Sequence, residues 1–345
     1  MAILGGRMGG RPGKRHVKIR CFEEVSLRIL VTGAQGCIGA WTVKALLDRQ
    51  LDVVVYDRDP RPSRLELIAA PEQVNRVEIR TGNIEDTARV KALVKDEGIT
   101  HIVHLAAWLM PPCQANPAAG ALVNVIGCLN VFEAARDAGR PVRVVYASSS
   151  AVWGPEDAYA AGKLTEADPL KPSTHYGVFK QANEGNARVF YERDGISSIG
   201  LRPWTVYGVG RDAGLTADPT LAMKAVALRR PFQIRVTGHM DLQYVEDVAE
   251  AFVRSLLSSV EGAHVFNLEG TVVTMADLIH ELDRQYPGAA KLITAEGPQV
   301  PVAYRMDGAQ LRAHIPGIPQ TVLSNGIRQT VDFFIQLAGQ NRLKD

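Results

Sequence analysis

The chain is poor in cysteine, nearly neutral, and without long apolar runs. Its four cysteines, Cys21, Cys37, Cys113 and Cys128, form neither a Cys-x-x-Cys nor a paired Cys/His pattern. That argues against a zinc or dithiol redox site, so no metal is expected, and reduced thiols in a cytoplasm fit best. A formal net charge of +2 over 345 residues makes no case for nucleic-acid binding, which needs basic charge clustered on the folded part. Even this excess is local. Residues 1–24 carry Arg7, Arg11, Lys14, Arg15, Lys18 and Arg20 against Glu23 and Glu24, which leaves the remainder slightly acidic. The same segment is Gly-rich and has no apolar core for a signal peptide. It is expected to be a disordered tail or sequence upstream of the true start, and a start at Val25 would give a compact opening for the first strand. No stretch is expected to form a membrane helix, which takes about 18 or more apolar residues, and no internal repeat occurs.

What is present describes a folded α/β chain. Hydrophobic residues make up 46% and charged residues 22%, enough for a sizeable core in one large or two coupled domains. Apolar, β-rich runs at 28–32, 52–57, 76–80, 101–105, 142–148 and 198–201 alternate with helix-period segments at about 37–50, 85–97, 118–138 and 176–194. This order predicts a parallel sheet with helices on both faces. Ile29-Leu30-Val31 and Val53-Val54-Val55 are apolar at every position, as strands covered on both faces should be. From about residue 203 the rhythm gives way to Pro/Gly-rich turns, with helices near 219–230, 246–259, 274–286 and 322–338. The expected division is 25–202 and 203–345, the second part interleaved with the sheet.

In "LVTGAQGCIGAW", Gly33, Gly36 and Gly39 follow the first strand directly and open a helix. Glycines there let the backbone turn tightly and approach a pyrophosphate, whose charge the helix N-terminus favours. The second strand ends in Asp57, eighteen residues beyond Gly39, where a carboxylate can accept hydrogen bonds from an adenosine ribose diol. Together they indicate a dinucleotide site. Asp57 would repel a 2′-phosphate, favouring NAD over NADP, a preference the neighbouring Arg58 weakens. Further on, "STHYGVFKQ" sets Tyr176 four residues before Lys180. On a helix that spacing puts a phenol and an ammonium on one face about 5–6 Å apart, close enough for the cation to favour the phenolate. By itself the spacing also describes a surface Tyr and Lys on an ordinary helix.

With these features in order, and with Asn83-Ile84, "HLAA" at 104–107, "VNVIGCLNVFEAA" at 123–135, "ASSSAVWG" at 147–154, "LRPWTVYG" at 201–208 and "DLQYVEDVAEAF" at 241–252, the chain resembles the extended short-chain dehydrogenase/reductases, the NAD-dependent epimerase/dehydratases, over roughly 27–335. The resemblance implies a Rossmann-type doubly wound parallel sheet with a smaller interleaved substrate-side domain. It implies that NAD is bound by Gly33, Gln35, Gly36, Cys37, Ile38, Gly39, Asp57, Arg58, Asn83, Ile84, Leu105, Ala106, Ala107, Asn124, Tyr176, Lys180 and Pro203. Tyr176 would be the acid/base for hydride transfer. Lys180 would bind the nicotinamide ribose and lower the tyrosine pKa. Ser149, with Ser150 as second choice, would hydrogen-bond the reacting oxygen.

The sequence departs from that pattern at informative places. Sugar dehydratases of the family carry Asp-Glu where this chain has Ser150-Ala151, so dehydration is not expected. Thr205 replaces the Asn of the "LR-x-x-N" segment, Met240 stands where Arg is frequent, and Glu296-Gly297-Pro298 occupies the place of another Arg. Three contacts to a substrate diphosphate are thus missing, with Arg211, Arg230 and Arg235 available to compensate. The expectation is an NAD-dependent oxidoreductase acting on a secondary alcohol or ketone of a sugar, sugar acid or similar small polar substrate. A nucleotide-sugar 4-epimerase is the alternative enzyme, and a non-catalytic NAD-sensing protein the third reading. Substrate contacts are assigned to Trp108 in the apolar loop Trp108–Cys113, to Ser150 and Thr205, and to Arg211 in a covering loop at 208–220. A homodimer is expected through the helices near 118–138 and 176–194, where Val178, Ala182, Ala187, Val189 and Phe190 supply apolar surface.

Overall fold

Ile29, Val31, Val53, Val55, Val103 and Val145 enter one apolar cluster, whereas Leu30, Val54, Ile102, Val144 and Tyr146 enter another. Successive side chains of a strand point to opposite faces, so runs apolar at every position build a sheet with a core on each side. The computed structural model describes residues 27–343, and the expectation for residues 1–24 lies outside them. Its main sheet is seven parallel strands in the order β10-β6-β5-β4-β1-β2-β3. These are β1 (Arg28–Thr32), β2 (Asp52–Asp57), β3 (Glu78–Thr81), β4 (His101–His104), β5 (Arg143–Ala147), β6 (Ser198–Arg202) and β10 (Ala263–Asn267). Strand order reverses between β1 and β4, and the crevice above such a switch point is where ligands bind.

On one face, helices Cys37–Asp48 and Val245–Leu257 pack through Trp41, Leu46, Val248 and Phe252. On the other, helices Thr87–Asp96, Gly127–Asp137 and His175–Asp194 contribute Val90, Val94, Val131, Phe132 and Ala187. The remaining chain forms a smaller body over the C-terminal strand ends. There β7 (Thr205–Tyr207), β9 (His239–Tyr244) and β11 (Thr271–Thr274) make a second sheet, and β8 (Phe232–Ile234) pairs with β12 (Ile293–Ala295).

Several expectations shift. Residues 263–267 return from the smaller body to extend the main sheet, and helix Val245–Leu257 covers it. The expected interleaving of the second part with the sheet thus includes a seventh strand that the sequence reading does not place. Residues 110–113 of the expected apolar loop Trp108–Cys113 belong to a helix, Met110–Ala115. Pro111 and Pro112 fall in its first turn, where the missing N–H costs nothing. The helical run Pro117–Asp137 is long and apolar enough to cross a membrane by length and composition, contrary to expectation, yet half of that stretch is buried inside the protein. Within it, Leu122–Ile126 widens into a π-helical turn, and Asn183 Nδ2 donates to the carbonyl of Asn124 at 2.9 Å. Of the residues weighed as dimer surface, Ala187 is core and Phe190 stacks on Phe132 at 5.1 Å, while Val178, Ala182 and Val189 face outward.

Candidate active site

The glycine loop is shaped by backbone crowding. Gly33 sits at φ +69°, and a Cβ there would lie 2.4 Å from the backbone nitrogen of Ala106. A Cβ on Gly39 would lie 2.4 Å from the carbonyl oxygen of Gly33. Any side chain at either position would push the loop off the strand end. Gly36 begins helix Cys37–Asp48 without a side-chain cap, and no acidic residue occupies the first turn, so its N–H groups are left for an anion. Asp57 is held at the rim. Its carboxylate accepts from Gln35 N–H at 3.0 Å and Asp59 N–H at 3.1 Å.

A cleft of about 580 Å³ runs from this loop across the ends of β1, β4 and β5 to the smaller body. All the residues expected at cofactor or substrate line it, except Asn124. That side chain is buried, donating instead to Cys113 Sγ at 3.2 Å and the Gly120 carbonyl at 3.0 Å, and Val123 takes its place in the wall. The uncapped helix start, the loop that tolerates no Cβ and the rim carboxylate fit the diphosphate and adenosine ribose of NAD.

Tyr176 stands in the first turn of helix His175–Asp194, which is capped by Thr174 Oγ1 accepting from Gly177 N–H at 3.1 Å. Gly177 brings that turn against the serine loop, since a Cβ there would lie 2.1 Å from the carbonyl oxygen of Ala151. Lys180 is buried at 3% exposure. It donates to the carbonyl of Ala147 at 2.6 Å, and its Nζ lies 5.6 Å from the centre of the Tyr176 ring. Ser149 Oγ accepts from Ala151 N–H at 3.1 Å, which leaves its own proton free to donate. His104, bonded to Thr32 Oγ1 at 2.8 Å, is pushed down to about 3, first by burial and then by the charge of Lys180. It is neutral at physiological pH, and the ammonium that lies by the Tyr176 ring is that of Lys180.

Two groups escaped the sequence reading. Glu184 lies one turn beyond Lys180 on the same helix face. It accepts from Ser148 Oγ at 2.5 Å and takes a bidentate fork from Arg202, both bonds 2.8 Å. Arg202 also lies over the Trp153 ring at 4.8 Å and donates to Asn267 Oδ1 at 3.2 Å. The repeat of four from Tyr176 through Lys180 to Glu184 was the available signal. Arg64 donates to the carbonyls of Gln35 at 2.6 Å and Gly210 at 3.0 Å, and pairs with Asp212 at 2.6 Å. Nothing in the sequence joins it to residues so far along the chain.

The far end of the cleft is largely apolar, walled by Leu109, Met110, Trp204, Leu215, Val300 and Val302. Thr205 is fully buried there, and Met240 lies in the core away from the cleft. Arg235 is occupied by Asp218, with bonds of 2.7 and 3.0 Å, and neither it nor Arg230 lines the cleft. Arg211 does line it, donating from Nη2 to Thr216 Oγ1 at 2.8 Å.

A family model described as "NAD dependent epimerase/dehydratase family" matches residues 29–268. A UDP-glucose 4-epimerase of Mycolicibacterium smegmatis is 30% identical over 317 residues, 89% of this chain and 98% of the relative. The crystal structure of the UDP-glucose 4-epimerase of Thermus thermophilus in complex with NAD is similar with a TM-score of 0.75 at 28% identity, covering 89% of this chain and 99% of that one. MoeE5 in complex with UDP-glucose and NAD gives a TM-score of 0.76 at 26% identity, covering 90% and 99%.

Proposed function

Because this chain belongs to the NAD-dependent epimerase/dehydratase family and is an NAD-dependent enzyme, we propose that it transfers hydride at a secondary alcohol or ketone of a sugar, a sugar acid or a similar small polar molecule. The convergence of Ser149, Tyr176 and Lys180 on one wall of the cleft that starts at the glycine loop carries this reading. NAD, when bound, supplies the hydride acceptor. Lys180, fixed by the Ala147 carbonyl, holds its ammonium beside the Tyr176 ring. Tyr176 then takes the proton of the substrate hydroxyl as general base, while the Ser149 hydroxyl donates to the same oxygen. Ser150-Ala151 offers no carboxylate to drive loss of water.

A second reading, a 4-epimerase acting on a nucleotide sugar, is favoured by the likeness to UDP-glucose 4-epimerases. Thr205 and Met240, at two positions where the family places diphosphate contacts, favour the smaller substrate. Denaturing the purified protein and assaying released NAD separates the two. About one NAD per subunit supports the epimerase, and an empty protein that binds added NAD supports an exchanging dehydrogenase. For either, Tyr176→Phe should abolish turnover and leave NAD binding intact, and wild-type activity in that variant would refute the mechanism.

The assembly we propose is a homodimer. Leu122 at 54% exposure, Val178 at 47% and Val189 at 42% lie on the two helices and offer apolar surface to a second copy. Light scattering that shows only monomer at micromolar concentration would refute this. Free Cys37, Cys113 and Cys128 suit a cytoplasmic setting.

A further inference from the structure

We propose that residues 208–216 form a strap over the cofactor, latched to the glycine loop by Arg64, and that Arg211 on this strap binds the NAD diphosphate rather than the substrate. The proposal rests on the NAD reading above. The strap reaches the glycine loop at several points. Trp41 Nε1 donates to the Val209 carbonyl at 2.8 Å, and a Cβ on Gly210 would lie 3.8 Å from Cys37 Sγ. The chain at 209–210 therefore lies against the first turn of helix Cys37–Asp48, the turn whose N–H groups await an anion. Arg64 spans the junction. One guanidinium holds the Gln35 carbonyl on the glycine loop side, and the Gly210 carbonyl and the Asp212 carboxylate on the strap side.

Arg64 is thus held by protein groups on both sides, whereas Arg211 keeps a buried donor unspent. Its Nη2 reaches Thr216 Oγ1, and its Nε is buried without a partner among the described residues. Arg64 and Arg211 both line the cleft that starts at the glycine loop, and Gly210, the neighbour of Arg211, lies against Cys37 at the helix start. A guanidinium with unspent donors beside an uncapped helix N-terminus suits a diphosphate, whose oxygens accept charge-assisted pairs of bonds. Arg211 would add its guanidinium to the helix N–H groups that hold that anion. Release of NAD would then require the Arg64 bonds to break.

The test uses the full chain and three variants, Arg211→Ala, Arg211→Lys and Asp212→Asn, with calorimetric binding of NAD+, ADP-ribose and adenosine and the rate of NAD+ release on displacement. Arg211→Ala should weaken NAD+ and ADP-ribose by about tenfold or more while adenosine binds as before, and Arg211→Lys should recover part of the loss. Asp212→Asn, at a solvent-facing partner of the latch, should speed NAD+ release without changing the fold. Unchanged NAD+ affinity in a folded Arg211→Ala protein would overturn the assignment of Arg211. Unchanged release in Asp212→Asn would overturn the latch. A wild-type protein that holds no NAD as purified and binds neither added NAD+ nor ADP-ribose would instead overturn the reading on which both rest.

Discussion

Replacing Glu184 by alanine removes the acceptor of Ser148 and both oxygens that hold Arg202. The two charged side chains are only 8% and 4% exposed, so water cannot take over the lost bonds. Arg202 would keep a single bond to Asn267 at 3.2 Å and the face of Trp153, too little for a guanidinium with five donors. Breaking a buried pair from one side typically costs about 3–5 kcal/mol, a large share of the roughly 5–15 kcal/mol that holds a domain folded. Equilibrium unfolding in urea, followed by circular dichroism, measures the loss directly. The uncompensated charge should account for it, so exchanging both partners together, Glu184→Met with Arg202→Met, should be much less harmful than either single change. A loss below about 1 kcal/mol in Glu184→Ala, or a double variant no better than the single ones, would refute the view that this pair stabilises the fold around Ser148.

Asp57→Ser should lower NAD affinity and raise that for NADP, since it removes both the ribose acceptor and the repulsion of a 2′-phosphate beside Arg58. An unchanged NAD-to-NADP affinity ratio would contradict the assignment of Asp57. Stability against pH carries two opposing slopes. Burial raises Asp241 to about 7, so between about pH 4 and 7 the native state holds a proton the unfolded chain has lost, and stability falls as pH rises. His104, lowered to about 3, does the reverse between about pH 3 and 6.5. Asp241→Asn should therefore make stability climb more steeply with pH, by about 1.4 kcal/mol per unit between pH 4.5 and 6. Urea midpoints with the same slope in both proteins would refute it.

The parts legible in the sequence were those in which neighbouring residues decide the outcome. Continuous apolar runs marked the inner strands, and the glycine loop announced itself because Gly33 and Gly39 each lie where a Cβ would collide with backbone. The strand Ala263–Asn267 was not seen. It is short, carries His264 near its start, and owes its place to β6, whose residues lie far back in the chain. Helix Met110–Ala115 was hidden by two prolines that usually signal an interruption. Asn124 was placed at the cofactor by position alone, and the π-helical turn that carries it directs its side chain to Cys113 instead. Arg64 acts largely through carbonyls on distant loops, and backbone carbonyls leave no mark in a sequence.

The late arrival of β10 also bears on how the chain is made. β6 ends at Arg202 and its outer neighbour begins only at Ala263, so the edge of the nascent sheet stays unpaired while about sixty residues are added, some 3–12 s at ordinary rates of synthesis. All five residues of β6 are buried once the sheet is complete, and until then their outer backbone groups form an open template for pairing with other chains. Translation halted before residue 263 would leave that edge uncovered for good, and the fragment should be recovered as aggregate.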